Sequence, residues 1–575
     1  MISLYRHTHR FRLGFASLAI LCLMTGTVAA QNIPDIPSSA DIDARAREQE
    51  RPAPPVSIQK PQAITKPTYS ELAQPENAQD ITFTLDTIRL EGVTAYTEEE
   101  LGNIWGGDRG QVISLARLYE IANKITERYR ADGYVLAQAH IPAQEIDSGI
   151  ARINVVEGYV SNVRLENQAH ESRILTDGMN IIRNIRPFNI RDLERQMLLL
   201  SDLSGTSFRS VLQPDTASSD GGIVVVLVQE KRAPIETALS FDNTGSRYLG
   251  PYTANATVSL TPAFLPYHET LLSYSLSVPA DELKYYAVSH KIPLTANGMN
   301  LSLQAARTKG TPGYTLDDND IESRTDELGA TLSQALIRQR DKSLTLSFGF
   351  DYRNSRTDII GLPLTRDRIR AARLGIAYDM TDSWGGTNLI NTELSRGIDV
   401  MNASARGDLD LSRIAGRPDF EKISLTAYRV QYIDKDFSLL AGITGQMANG
   451  PLLSSEEFGY GGPSFGRAYD SSEILGDEGF AGMMELRHNG WALSGDRVRL
   501  RPFAFYDFGK IWNKDPGQLE EASAASAGAG VRLTTAYDLA LSLTLAQPLT
   551  RPVSDPQPYN NGKNPRLLFS MGLRF

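Results

Sequence analysis

The segment LTLSFGFDY, residues 344–352, is amphipathic with a period of two. Its alternate apolar side chains are Leu344, Leu346, Phe348, Phe350 and Tyr352. The side chains between them are small or polar: Thr345, Ser347, Gly349 and Asp351. Because successive side chains of a β-strand point to opposite faces, the segment predicts a strand with one apolar and one polar face. Small polar residues make a poor second core, so the pattern favours the wall of a water-filled barrel over a soluble β-sandwich.

Segments with the same alternation recur from Pro234 to the C-terminus, as in YTANATVSL, ARLGIAYDM, LALSLTL and LLFSMGLRF. We count about 16 of them with roughly 10 residues each, the length that crosses an outer membrane when the strand is tilted. Short turns, such as DKD at 434–436, alternate with long links at 308–324, 354–368, 397–420, 449–479 and 548–565. We therefore predict a mainly β fold with a 16-stranded antiparallel transmembrane β-barrel at residues 233–575.

Composition narrows the possible partners of the 575-residue chain. The net charge is −10 and the pI is about 5.4, which does not support binding of nucleic acid through a basic surface. The N-terminus carries Arg6, Arg10 and Arg12, the apolar run FASLAILCLM and the small residues TGTVAA. This order predicts a secretory signal peptide at 1–30, with a short membrane anchor as the alternative. The only cysteine, Cys22, lies in this segment, so we expect a mature chain without thiol, disulfide or cysteine-bound metal.

Residues 31–80 are rich in Pro, Ala, Gln and charged side chains. One short helix is predicted there, capped at its start by Ser39 and stopped by Pro52. Its faces are nearly all polar, so it is either solvated or lodged in a polar cavity.

Two units with the order β-α-α-β-β follow, at 81–157 and 158–232. Each has about 75 residues, enough for one small core. In the first unit, the helix SLARLYEIANKITERYRADGY places Leu118, Ile121 and Ile125 on one face, and the strand VLAQAHI follows at 135–141. Tandem units of this kind in a secreted chain resemble POTRA domains.

The segment FAFYDFGKIW, residues 503–512, places one carboxylate, Asp507, inside a run that is apolar as far as Lys510. Alternation predicts that Ala504, Tyr506 and Phe508 face lipid, while Asp507 faces the lumen with Phe503, Phe505 and Gly509. An unpaired carboxylate is costly away from water, so we expect a cationic partner. Arg467 in the long link 449–479 can supply it if that link folds inward.

The residues Phe505, Asp507 and Gly509 match an F-x-D-x-G motif, and Arg467 and Tyr469 match R-G-[FY] except that Ala468 replaces the glycine. With the two modules and the barrel pattern, they make the chain resemble the TpsB outer-membrane transporters of two-partner secretion, the ShlB/FhaC/HecB haemolysin secretion and activation family. The resemblance implies a translocator in the Gram-negative outer membrane that exports, and in some members activates, an unfolded TpsA-type secreted passenger. It also implies periplasmic POTRA modules that recognise the passenger, and an N-terminal helix that plugs the pore.

Further expectations concern partners. An unfolded chain can add a strand to an exposed sheet edge, and we place this groove along helix 114–132 and strand 135–141 of the first module. Its candidate residues are Leu118, Ile121, Ile125, Val135, Ala137 and Ala139. Phe575, the terminal residue, resembles the sorting signal read by the barrel-assembly machinery. We expect a monomer in outer-membrane lipid.

An enzymatic role receives little support. The histidines at 140, 170, 268, 290 and 488 lie apart, no G-x-S-x-G motif occurs, and FGKIW and NGKNP lack the pattern of a phosphate loop. We expect no catalytic residue, metal or cofactor. The alternatives are an outer-membrane lipase with a triad assembled across strands, a barrel-assembly factor of the same superfamily, and a general porin. The passenger could be an adhesin, a haemolysin, a contact-dependent toxin or a haem scavenger.

Overall fold

The computed structural model describes residues 37–42, 74–146, 148–166, 172–217, 221–262, 264–493, 497–551 and 562–575. All of them belong to one compact unit, Pro37–Phe575. The predicted signal peptide and most of segment 31–80 lie outside these residues. Among the residues described, no helix has both the length and the apolar character needed to cross a membrane.

The first module combines two helices with a three-stranded sheet and a separate two-stranded pair, Thr82–Thr84 with Val112–Ser114. Its strands are Thr82–Thr84, Thr87–Glu91, Val112–Ser114, Gln138–His140 and Ile150–Val156, and its helices are Glu98–Gly102 and Leu115–Ala131. The longer helix begins at Ser114, whose hydroxyl accepts from the Arg117 N–H. Its apolar face, predicted from helical spacing, is fully buried against the sheet.

The second module has fewer strands, but its three-stranded sheet has the same arrangement as that of the first module. Its strands are Tyr159–Glu166, Thr206–Pro214 and Gly222–Lys231, and its helices are Arg173–Arg183 and Ile190–Ser201. Gly222–Lys231 is the central strand, parallel to Tyr159–Glu166 and antiparallel to Thr206–Pro214. Strand Thr206–Pro214 is therefore an edge of this sheet.

The second module is fastened to the turns at one end of the barrel. The Arg338 guanidinium donates twice to the Asp202 carboxylate, at 2.7 Å each. The Gln196 side chain donates to the Ala296 carbonyl oxygen at 3.1 Å. A Cβ on Gly298 would lie 2.6 Å from Leu199, so close approach requires glycine there. The module is thus held at the barrel mouth by paired groups rather than by a flexible tether.

The barrel closes between its first and last strands. We number the strands 1 to 16 in chain order: Ile235–Asp242, Tyr252–Leu260, Glu269–Val278, Leu283–Pro293, Met299–Gly310, Ile321–Arg338, Lys342–Ile359, Leu362–Thr381, Gly386–Gly397, Glu421–Tyr432, Phe437–Ala448, Glu478–His488 continued by Trp491–Leu493, Val498–Trp512, Glu521–Thr535, Leu539–Pro548 and Arg566–Arg574. Every neighbouring pair is antiparallel, and strand 16 pairs with strand 1 over Ser570–Arg574. The predicted fold class is confirmed.

The turns on the module side are short and most links on the opposite side are long, as predicted. One predicted link is wrong. Residues 354–368 do not form a loop, because strands 7 and 8 continue as a hairpin that turns at Ile360 and Gly361. Polar outward side chains in this stretch break the apolar alternation although the backbone ladder continues.

The two faces of the wall differ as the alternation predicts. Outward side chains such as Phe348 and Leu374 are exposed, which suits contact with lipid. The lumen is partly filled by link 449–477, which packs through Phe458, Tyr460 and Phe465 against the inner face of strands 10–16. A cavity of about 490 Å³ remains beside it, lined by polar side chains of strands 4–11.

Candidate functional site

The site is built on the inward-folded link 449–477 between strands 11 and 12. Phe458–Tyr460 and Ile474–Gly476 pair as a short hairpin, which carries the segment between them into the lumen. Gly461, Gly462 and Gly466 have φ values of 122°, 101° and 94°. These angles strain residues with a side chain, so the glycines allow the tight tip that presents Arg467.

Arg467 and Asp507 form a buried ion pair. The Arg467 Nε lies 3.0 Å from Asp507 Oδ2 and its Nη2 lies 2.8 Å from Oδ1, a two-point contact. The backbone N–H groups of Gly466 and Arg467 also donate to Oδ2, at 3.3 and 3.0 Å. Asp507 is 0% exposed and Arg467 is 7% exposed. Removing one partner of a buried pair typically costs 3–5 kcal/mol, because the other charge is left uncompensated.

Glu485 on strand 12 is a member of this site that the sequence analysis missed. It is 1% exposed and accepts from Arg467, from the Arg487 Nε at 2.6 Å and from the Arg532 Nη1 at 2.7 Å. Like Asp507, it is a carboxylate at a lumen position beside apolar residues, here the run 479–484, although Arg487 follows on the same strand. The signal that identified Asp507 was therefore present for Glu485 as well.

The other motif residues surround the pair. The Arg467 guanidinium carbon lies 3.6 Å from the centre of the Phe505 ring, a cation–π contact. A Cβ on Gly509 would lie 2.2 Å from the Tyr460 ring, so only glycine leaves room for the link at this point. The Tyr469 hydroxyl donates to the carbonyl oxygens of Ala525 and Arg551, both at 3.1 Å. The motif residues thus supply the charged pair, the Phe505 ring that packs against Arg467, and the space at Gly509 that lets the link pack against the barrel wall.

Ala468 occupies the position where the resembling transporters have glycine. It is 0% exposed and is not among the residues with positive φ in the described part of the chain. The turn at the tip uses the neighbouring glycines instead, so alanine is accommodated without backbone strain.

Three more ion-pair groups hold the link, and the sequence analysis predicted none of them. Glu456 contacts the Arg373 Nη2 at 2.9 Å and the Lys422 Nζ at 2.6 Å. Asp470 contacts the Arg247 Nε at 2.8 Å and the Arg566 Nη1 at 2.9 Å. Asp477 contacts the Arg413 Nη1 at 2.5 Å. The partners come from strands and links across the barrel, so the link is fastened at its base and at its tip.

The described start of the predicted plug helix lies inside the outer end of the barrel. Ser38–Ala40 form a 3-10 turn, so Ser39 lies inside a turn rather than at the predicted cap. The Ser38 hydroxyl donates to the Glu473 carbonyl oxygen at 2.9 Å. Ile42 is 3% exposed and packs with Leu249 and Leu283. The predicted helix beyond Ile42 falls on residues that are not described.

The residues predicted to bind a partner lie mostly in the core of the first module. Leu118, Ile121, Ile125, Ala137 and Ala139 are all 0% exposed. In this structure their side chains pack between helix and sheet, so they do not line an open groove.

The sheet edge of the first module that was predicted to bind the partner is only partly accessible. Val135 packs against the second module, and the Ala139 N–H donates to the Thr126 hydroxyl at 3.0 Å, so the predicted strand edge is partly covered by the helix.

At the other end of the chain, Phe575 follows strand 16, is 70% exposed and exchanges backbone hydrogen bonds with Thr237. Its role in sorting stays a prediction.

Comparisons with known proteins agree with this architecture. The family model described as haemolysin secretion/activation protein ShlB/FhaC/HecB matches residues 221–533, and that of the ShlB-type POTRA domain matches 83–158. The chain is 24% identical over 464 residues to the heme/hemopexin transporter protein HuxB of Haemophilus influenzae (strain 86-028NP), over 78% of this chain and 80% of the relative. It is 22% identical to the outer membrane transporter CdiB of Dickeya dadantii (strain 3937), over 82% of this chain and 83% of the relative.

Two solved structures share the fold. CdiB from Escherichia coli matches with a TM-score of 0.75 at 19% identity, over 95% of this chain and 100% of that one. CdiB from Acinetobacter baumannii matches with a TM-score of 0.66 at 16% identity, over 94% of this chain and 100% of that one.

Proposed function

This chain belongs to the ShlB/FhaC/HecB family of haemolysin secretion/activation proteins, and from that premise we propose that it exports one large unfolded TpsA-type partner through its own barrel. Members of the family are outer-membrane translocators of two-partner secretion, and the modules lie in the periplasm. Relatives are named for haem/hemopexin transport and as CdiB transporters. At 22–24% identity these names do not specify the passenger of this chain.

The observation that carries the proposal is the buried contact of Arg467 with Asp507 and Glu485 inside the barrel lumen. A general porin needs no link fastened by four groups of ion pairs, because small solutes pass an open lumen. A polypeptide conduit needs a gate that closes at rest and moves during export. Ion pairs suit this role, because water entering the lumen weakens them while the strand ladder keeps the barrel closed.

We place partner recognition at the second module as well as the first. Strand Thr206–Pro214 is a longer accessible sheet edge than strand Gln138–His140 of the first module. Val211 and Leu212 on it are 45% and 37% exposed. An unfolded chain that adds a strand here gains backbone hydrogen bonds and contacts to these side chains. Folding of the partner outside the cell then draws the rest of the partner polypeptide through the barrel and yields the partner's active form.

The experiment is co-expression with a candidate TpsA-type partner, a large secreted protein to be sought first in the genes that neighbour this one. We expect that protein in the medium when the wild-type chain is present and in the periplasm when it is absent. Val211→Asp should reduce export and reduce binding of the unfolded partner to the full-length chain in detergent. The matched control is Val400→Asp, at a 43% exposed valine outside both modules, which should export and bind the partner as the wild type does.

The rival functions give different results. A barrel-assembly factor would change the amounts of other outer-membrane barrels, and a porin would change uptake of small solutes. Retention of the partner in the periplasm beside correctly inserted wild-type chain would contradict the proposal.

A further inference from the structure

Four basic side chains form a row across the outward face of strands 5 to 8. Lys309 lies directly opposite Arg324, Arg324 opposite Arg356, and Arg356 opposite Arg366. All four are exposed, and they share the face of the outward residues Phe348 and Leu374. We call these four residues the cationic row.

The cationic row lies just above the apolar band. On strand 7 the outward apolar residues continue from Leu344 to Tyr352, and Arg356 follows four residues later, about 13 Å further along the strand. This end of the barrel is opposite the periplasmic modules. The cationic row is therefore at the level of the headgroups of the outer leaflet.

Carboxylates of the protein neutralise the cationic row only in part. Asp326 contacts Arg324 at 2.7 Å and also Arg307, and Asp358 contacts Arg356 at 2.8 Å. Lys309 and Arg366 form no ion pair with any described residue. Like charges directly opposite each other on neighbouring strands are destabilising. The arrangement therefore calls for an external anion.

We propose that the cationic row binds the phosphates of a phosphorylated glycolipid in the outer leaflet. Guanidinium groups bind phosphate oxygens by paired, charge-assisted hydrogen bonds. The cationic row covers three strand spacings, about 14 Å, which is too long for a single phosphate and suits a headgroup with two. The carboxylate of Glu322, which faces Asp358 in the next outward position, limits the site on the extracellular side. The inference does not rest on the proposed export function.

The test uses the full-length protein in detergent with Kdo2-lipid A, a bisphosphorylated diglucosamine glycolipid, as the probe. The variant carries Arg324→Gln, Arg356→Gln and Arg366→Gln. The matched control carries Arg396→Gln, Arg406→Gln and Arg417→Gln, which removes the same charge from arginines that are already paired with Glu421 and Asp419. Bound lipid is counted by native mass spectrometry, and folding is checked by the shift in gel mobility on heating.

We expect the wild type and the control to bind the probe and the variant to bind it at least tenfold more weakly. The dephosphorylated probe should bind none of the three proteins well. Equal binding to wild type and variant would overturn the proposal. Equal binding of phosphatidylglycerol and Kdo2-lipid A to the wild type would also overturn it, since the cationic row would then be a general anion surface. Secretion of the partner is scored separately, so failure here does not affect the export function.

Discussion

The interior of the first module includes the apolar side chains of Leu118, Ile121 and Ile125, whereas the buried groups of the barrel lumen include the charged side chains of Arg467, Asp507 and Glu485. In the module, burial of apolar side chains provides the stability, at about 1.5–3 kcal/mol for each large side chain. In the barrel, a closed ladder of backbone hydrogen bonds holds the wall together without a core of apolar side chains. The lumen residues are therefore free to position a link. Substitutions in the two regions should consequently fail in different ways.

The largest effect is expected for Asp507→Ala. The variant leaves Arg467 short of one carboxylate, which should destabilise the inward position of the link by about 3–5 kcal/mol. A shift of only ~1.4 kcal/mol already changes an equilibrium tenfold. We expect secretion to fall at least tenfold, while the barrel keeps its normal insertion and its gel shift on heating. Arg467→Ala should also reduce secretion at least tenfold and leave insertion and the gel shift unchanged.

Two further variants sharpen this comparison. Glu236→Ala removes a lumen-side carboxylate that makes no ion pair among the described residues, and it should secrete normally. Exchanging the charges of Arg467 and Asp507 should not restore export, because two backbone N–H groups and Glu485 are arranged for the native polarity. If Asp507→Ala secretes as well as wild type, Asp507 is only a lumen residue and the gate assignment fails.

The module should respond with unfolding instead. Ile121→Ala leaves a cavity in a fully buried core and should lower the free energy of unfolding of the first module by about 3 kcal/mol. Hydrogen exchange of the amides of Leu115–Ala131 in the full-length protein measures this change, and barrel amides should not respond. Glu127→Ala on the exposed face of the same helix is the control, expected within about 0.5 kcal/mol. Equal exchange in the barrel and module would remove the contrast between the two regions.

A smaller effect is expected where the N-terminal segment enters the barrel. Ile42→Ala removes a side chain packed with Leu249 and Leu283, at about 2 kcal/mol. In planar bilayers the variant should open more often than wild type, and deletion of residues 31–55 should raise the single-channel conductance. Ile42→Val is the conservative control. Unchanged conductance after the deletion would argue against a plug and for a solvated segment.

The smallest effect is a pH dependence at the junction of the two modules. Burial alone would raise the pKa of Glu157, but hydrogen bonds from Thr94, Ala95 and Tyr129 outweigh it and lower the pKa below its ordinary value of 4.5. The native state then releases this proton more readily than the unfolded state. The stabilisation is complete above pH 4.5 and is lost as the pH falls toward the lower native pKa.

Glu157→Gln tests this dependence. The protection factors of the first-module amides, which are exchange rates corrected for the intrinsic effect of pH, should fall below pH 4.5 in the wild type, and the variant should lack this fall. Glu127→Gln should follow the wild type. Identical pH profiles for wild type and Glu157→Gln would show that the junction does not depend on this carboxylate.

Much of the architecture could be predicted because it depends on local pattern. The period of two assigns each barrel side chain to lipid or lumen, since the strand itself dictates the alternation. Helical spacing identified the buried face of Leu115–Ala131 for the same kind of reason. The pairing of Arg467 with Asp507 could be predicted because a lone carboxylate in an apolar strand requires a cation. The hairpin of strands 7 and 8 could not, because its outward side chains are polar above the membrane while the ladder continues.

By itself, the sequence determined the type of most elements, the faces of the barrel wall and the need of Asp507 for a cation. Only the tertiary structure decided which charges meet. Arg413 and Asp477, or Arg373 and Glu456, are far apart in the chain and come together through the closure of the sheet and the inward path of link 449–477. It also decided that Ile121 and Ala139 are core rather than groove, because an apolar helix face has the same pattern whether its own sheet or a partner covers it. Local patterns follow from backbone geometry, whereas contacts between distant residues follow from how the whole sheet closes.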